Sequence, residues 1–370
     1  MRISWFRPDP PAGDVLLDAM GSLVAALAAR HDIRVVTRAS AYDEVWRWHR
    51  ELTDLAIYEV TDTPGDAYLW PYMVRFPGLA LVLGRHPGSA HSADLVRRSR
   101  GEDADAERAF VREAPGGALA IPLHSSRAVA VLAGSALATS EPPDHGQLLG
   151  FEPAMARPTV SRIGRSGPLR IGMHRADARA RAVVDRAVGR ARETGARLEC
   201  VASDSAADVL GNADVVLSLQ WPPQGGCDGI RLAAAALGIP AVVLESPDTS
   251  TLPCFDPQTW QPRDRGPGAP APVAVSLDPR DEEHSLMLAL RRLAENADLL
   301  GALGAAAEAR WQHLHEPAAA AAACAPLLAI AQAAPPPSAP ATWPAHFRAD
   351  GSGTARRILG EFGLQVDVLR

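Results

Sequence analysis

Short, continuous apolar runs recur along the chain, and most are followed by a longer stretch in which apolar residues return every three or four positions. Arg2–Phe6, Ile33–Thr37, Leu55–Val60, Leu79–Leu83 and Ala128–Leu132 form one series. Leu169–Met173, Leu198–Ala202, Val215–Leu219, Ala241–Leu244 and Val273–Leu277 form a second. Runs of this kind suit strands buried on both faces, which need helices on either side. The intervening periodicity predicts helices over about Val15–Arg30, Pro71–Pro77, Asp94–Glu113, Ala176–Thr194, Ile230–Leu237, Glu282–Asn296, Leu299–His313 and Ala318–Ala333. The expected class is α/β, with two Rossmann-like doubly wound halves.

The Pro, Gly and Ser content of Ser140–Pro168 places an inter-domain hinge there, giving domains over 1–150 and 151–334. Pro335–Pro344 reads as a low-complexity linker to a tail that ends at 370, with a helix and a strand expected over Thr354–Val368. A chain of 370 residues is long for one core, which agrees with two domains. No apolar run approaches a bilayer span and no signal peptide is read at the start, so a cytoplasmic location is expected.

A net charge of −6 argues against a generic nucleic-acid binder. All 37 basic residues are arginine, which removes every lysine-dependent mechanism. Cys200, Cys227, Cys254 and Cys324 are widely spaced, with no metal-ligand or disulfide pattern, and no metal triad is read anywhere.

The most informative stretch is Ala213–Glu245, ADVVLSLQWPPQGGCDGIRLAAAALGIPAVVLE. Trp221-Pro222-Pro223 stops an apolar strand, a glycine loop follows, and an alanine-rich helix closed by Gly238 and Pro240 leads to a second strand. In such a βαβ unit the glycine loop lies at the carboxyl edge of the sheet, where backbone N–H groups at the helix start can meet an anion. Asp228 is placed to cap that helix.

These residues resemble the donor-site segment of GT-B glycosyltransferases of the retaining, GT4-like group. Ala213-Asp214, Pro222, Gly225, Gly229, Gly238 and Pro240 fall on its pattern without gaps. Two departures stand beside the match: Gly226 and Ala234 occupy the positions of the loop glutamate and of a second glutamate seven residues on. In the first half Pro77-Gly78 and the strand after it also fit, but Gly84-Arg85 and Ser89-Ala90 stand where the group carries His-Asp and a histidine pair, with His86 and His91 close by.

The resemblance implies a GT-B fold and transfer of a sugar from a nucleoside-diphosphate sugar to an unknown acceptor, without a cofactor or an obligatory metal. By the same resemblance Gly225, Gly226, Cys227, Asp228 and Gly229 contact the donor, Arg175 and Arg179 its phosphates, Gly13 the donor phosphates or the acceptor, and His86 the acceptor side. Each has a plainer alternative: a turn glycine at Gly13, solvated arginines on a helix, a surface histidine. Arginine can nonetheless bind phosphate bidentately.

The losses in both halves motivate a second reading, a non-catalytic GT-B relative acting as a binding or partner subunit. A peripheral membrane surface or a partner transferase is left open as a further contact. An epimerase or dehydrogenase is disfavoured, because no glycine fingerprint follows the first strand.

Overall fold

The computed structural model describes residues 1–9, 15–61, 64–84, 120–133, 148–162, 167–220, 228–263, 266, 268–337 and 352–364. Within them the chain builds two sheets, each of six strands and each parallel throughout. The first contains β1 (Arg2–Phe6), β2 (Asp32–Val36), β3 (Leu55–Val60), β4 (Leu79–Val82), β5 (Ala128–Leu132) and β6 (Leu148–Phe151), in the order β2-β1-β3-β4-β5-β6. The second contains β7 (Leu169–His174), β8 (Leu198–Ser203), β9 (Val215–Ser218), β10 (Ala241–Leu244), β11 (Cys254–Phe255) and β12 (Ala274–Leu277), in the order β11-β12-β10-β9-β7-β8.

Parallel strands need crossovers, and the helices that supply them cover both faces. In the first sheet Ile3, Trp5, Leu55 and Ile57 face α1 (Val15–Ala28), whereas Phe6, Ala56, Tyr58 and Val60 pack on the side of α3 (Leu69–Arg75). Between β2 and β3 lies α2 (Tyr42–His49), and α4 (Ala120–Ser125) precedes β5. The second sheet is covered by α5 (Ala178–Glu193), α6 (Ala206–Asn212), α7 (Gly229–Ala236), α8 (Glu282–Glu295) and α9 (Ala297–Leu314). Among the described residues no single helix is long and apolar enough to cross a membrane.

Besides the short edge strand Cys254–Phe255, which no apolar run announced, three features depart from the sequence reading. First, the first sheet does not end at Ala128–Leu132: Leu148–Phe151, inside the stretch read as hinge, adds a sixth strand, with Val129 opposite Leu148. Its four residues at the sheet edge are too few to stand out from a Pro- and Gly-rich surrounding. Second, α10 (Pro317–Ala333) belongs to the first half in space, although it follows the second in sequence. Its Ala320, Cys324, Leu327, Leu328 and Ala331 complete the core formed by α1 and the first sheet. Third, α2, α4 and α6 were not expected; α2 mixes exposed Tyr42 and Trp46 with charged residues and so lacks a clean apolar face. Asp94–Glu113, read as a helix, lies outside the described residues, as does the expected tail strand beyond α11 (Gly353–Glu361).

Two glycines permit close backbone approach. A Cβ at Gly78, at the entry to β4, would run into the Ala56 carbonyl of β3. One at Gly304 in α9 would run into the carbonyl of Gly238, which ends α7 with φ of +67°.

Candidate functional site

In open parallel sheets a ligand crevice forms at the carboxyl ends of two adjacent strands whose connections leave in opposite directions. Here those pairs are β1 with β3 and β7 with β9. The strand β1 leads to α1 and β9 leads to α7, and the two helix starts touch. A Cβ on Gly229 would lie 2.8 Å from the Leu16 amide nitrogen and 2.8 Å from the Val15 Cβ, so only glycine admits this approach. The carboxyl edges of both halves therefore meet at the first turn of α7.

The structure brings part of the expected donor set to this edge. Arg175 follows β7 directly, beside β9 in the sheet, and has φ of +48°. An arginine in the left-handed region is uncommon, and such conformations cluster at functional positions. Its backbone N–H donates to the Ser203 carbonyl at 3.3 Å. Asp228 caps α7, accepting from the Ile230 N–H at 3.1 Å. Gly13, His86, Gly225, Gly226 and Cys227 lie outside the described residues.

Arg179 has a different employment. Its guanidinium pairs with Glu282 at the start of α8, whose side chain is only 7% exposed, and the second contact is 3.4 Å. That pair joins α5 to α8. Arg181 turns back to the Ala176 carbonyl at 2.9 Å. Ala234, at the second glutamate position, is fully buried among the apolar residues of α7 and its sheet, not at a cleft surface.

Sequence reasoning missed the first half's own polar edge. Glu59, near the end of β3, is completely buried; it accepts from Trp5 Nε1 at 2.6 Å and from Arg7 Nε at 3.1 Å. Burial pushes its carboxyl up to about 7, against the opposing pull of Arg7 and Trp5. The signal was present as a lone glutamate inside the apolar run LAIYEV. Beside it the Asp66 carboxylate accepts from the Thr61 hydroxyl at 2.7 Å and from the Thr61 N–H.

The two crossings between the halves are stitched into one joint. After β6, Met155 donates its N–H to the His315 carbonyl at 2.7 Å, Trp311 Nε1 donates to the Met155 carbonyl at 3.0 Å, and His315 Nδ1 lies 3.1 Å from the Pro153 carbonyl. Glu152 is 3.7 Å from His315 Nδ1. Burial pushes Glu152 up to about 7, with Arg310 and Arg231 opposing, and pushes His315 down to about 4. Arg231, Arg310, Trp311 and His315 line a small groove beside α7 and α9, together with Leu252 and Val273.

Comparison with solved structures settles the architecture. The Anabaena protein HepE, in a crystal structure with UDP and glucose, superposes with a TM-score of 0.55 at 10% identity, covering 89% of this chain and 99% of that one. A sucrose-phosphate synthase from Thermosynechococcus elongatus gives 0.51 at 13% identity, covering 88% and 98%. The chain has the GT-B fold. No protein-family model and no curated protein matches the sequence. In the GT-B frame, the contact at Gly229 joins the two Rossmann-like halves at their switch points. Among the described residues of this fold no group of three or more His, Cys, Asp or Glu side chains is arranged to hold a metal ion.

Proposed function

We propose that the protein is a glycosyltransferase that takes its sugar from a nucleoside-diphosphate sugar bound between the two halves, with no obligatory metal, and passes it to an acceptor on the first half. The observation that carries this reading is the meeting of α1 and α7 at Gly229, at the switch points of both sheets. Charge that develops on a departing diphosphate would be met there by the backbone N–H groups of the α7 start and by Arg175. HepE, of the same fold, is described with UDP and with UDP-glucose. Residues 1–150 would then supply the acceptor side and 151–334 the donor side, with α10 reaching back across the joint.

A second reading has its own observations. The Asp228 carboxylate already occupies the positive end of α7, Arg179 is committed to Glu282, and Ala234 is sealed in the core. These favour a GT-B relative that has kept the scaffold and serves as a binding or partner subunit. Calorimetry against UDP-, GDP- and TDP-sugars separates the two. The transferase reading expects binding that Arg175→Ala weakens about tenfold, the loss typical of one charge-assisted contact. It expects Arg179→Ala to lower stability more than affinity. Absence of binding to every member of the panel would leave the partner-subunit reading.

A further inference from the structure

The approach of α1 to α7 is held from beneath by groups that the donor-site reading does not use. Glu59 on β3 fixes the Arg7 Nε at 3.1 Å, while Trp5 occupies the other carboxylate oxygen at 2.6 Å. From that anchor an Arg7 Nη2 N–H reaches the carbonyl of Leu17, in the first turn of α1. The backbone after β1 is pinned as well. The Tyr68 hydroxyl donates to the Arg7 carbonyl, and Gly65 lies so close that a Cβ there would be 2.6 Å from the Asp9 carbonyl oxygen. Val15 and Leu16, two positions and one before Leu17, are the residues that touch Gly229.

We propose that Arg7 is a positioning residue: by bridging Glu59 to the Leu17 carbonyl, it sets where the start of α1 meets the tip of α7, and so the geometry of the cleft between them. A buried carboxylate–guanidinium pair is a poor source of net stability compared with apolar packing, but it fixes direction through several hydrogen bonds at once. The guanidinium fork is what allows one side chain to hold β3 with Nε and α1 with Nη2; an ammonium is a single point. The proposal rests on the donor-cleft reading only for what the contact serves, and the contact itself is tested without a ligand.

Hydrogen exchange on the full chain, wild type against Arg7→Met and Arg7→Lys, provides the test. In Arg7→Met, amides of residues 15–20 and of 229–236, across the cleft, are expected to exchange roughly tenfold faster while those of β9 and β10 stay protected. Arg7→Lys is expected to regain protection around Glu59 and not at 229–236. Unchanged exchange at 229–236 in Arg7→Met, full rescue by lysine, or loss of folding in both variants would each overturn the assignment. With UDP-glucose as probe, wild-type binding that falls about tenfold in Arg7→Met would extend the role to the donor. Failure of the wild type to bind any nucleotide sugar would overturn the donor reading and leave the exchange result standing.

Discussion

The two halves handle charge in opposite ways. In the first, Glu44, Glu59 and Asp66 are fully buried, and each has fixed partners: the Ser4 hydroxyl donates to Glu44, whose other oxygen forms an ion pair with Arg34 at 2.8 Å, while Trp5 and Arg7 donate to Glu59 and Thr61 donates to Asp66. Among the described residues of the second, most ion pairs lie in solvent, as between Arg280 and Asp278 or Arg291 and Glu295. The buried exceptions, Asp214 with Arg170 and Glu282 with Arg179, tie elements of the second half together. A buried charge must be met by fixed partners, so the first half presents an edge of set geometry. The second presents arginines whose ion pairs lie largely in water, and a pair of that kind is exchanged for a phosphate at little cost.

The sharpest way to break this contrast is to strain each half where its backbones touch. Gly78→Ala drives a Cβ into the Ala56 carbonyl, between two neighbouring strands that cannot part without loss of pairing. The expected cost is about 3 kcal/mol, read from denaturant midpoints. Gly304→Ala makes the same kind of clash with Gly238, but at the crossing of two helices. The helix α9 can ride outward, so roughly 1–2 kcal/mol is expected. Equal costs would show that the first half is no more rigid than the second.

The next effect is one of pH. The Glu59 carboxyl sits at about 7 against an ordinary 4.5, so between those values the native state holds a proton that the unfolded chain has released. Stability from this group is therefore present below pH 4.5 and lost as pH rises through about 7, on the order of 3 kcal/mol in all. Glu59→Gln should flatten that slope. It also leaves one of two donors, Trp5 or Arg7, without an acceptor, which shifts the whole curve down by about 1–2 kcal/mol without restoring the slope. A wild type whose stability does not fall between pH 5 and pH 8 would remove Glu59 from the argument.

At the joint, the two shifts oppose. His315, pushed down to about 4 from 6.5, costs stability as pH falls through that window, whereas Glu152, raised from 4.5 to about 7, costs stability as pH rises. Between pH 4.5 and 6.5 the slopes have opposite signs and largely cancel. Against a Glu59→Gln background, which removes the fall described above, adding Glu152→Gln should uncover the histidine, so that stability climbs with pH over that range where the Glu59→Gln single variant is nearly flat. A double variant as flat as the Glu59→Gln single variant would mean that His315 does not titrate as its burial implies.

Much of this organisation was legible in the residues themselves. The apolar runs located ten of the twelve strands among the described residues, because a largely buried strand admits a polar residue only where a partner waits for it, as for Glu59. The two it missed, Leu148–Phe151 and Cys254–Phe255, are short and lie at sheet edges. Asp228 reads correctly as a cap from its place before an apolar helix. What periodicity cannot carry is partnership across the fold. Nothing near Arg179 announces Glu282, which is 103 positions away, and nothing near Arg7 announces Glu59. The helix Pro317–Ala333 is alanine-rich all round, so its sequence does not say which half it covers.

The smallest effect belongs to the ion pair that looks best on the surface of the second half. Glu283 lies 2.7 Å from Arg186 and 3.1 Å from Arg190, and the hydrogen bond from Arg186 holds its carboxyl below the usual range. Both arginines are 56% exposed, however, so the water that would replace the carboxylate is already at hand. At about 0.15 M salt the remaining attraction is screened over roughly 8 Å. Glu283→Gln should therefore leave the thermal midpoint unmoved within measurement, and should do so equally at low and high salt. A drop comparable to that of a buried variant, or one that salt abolishes, would show that the second half also stores stability in its charges, and the contrast between the halves would fail at its weakest point.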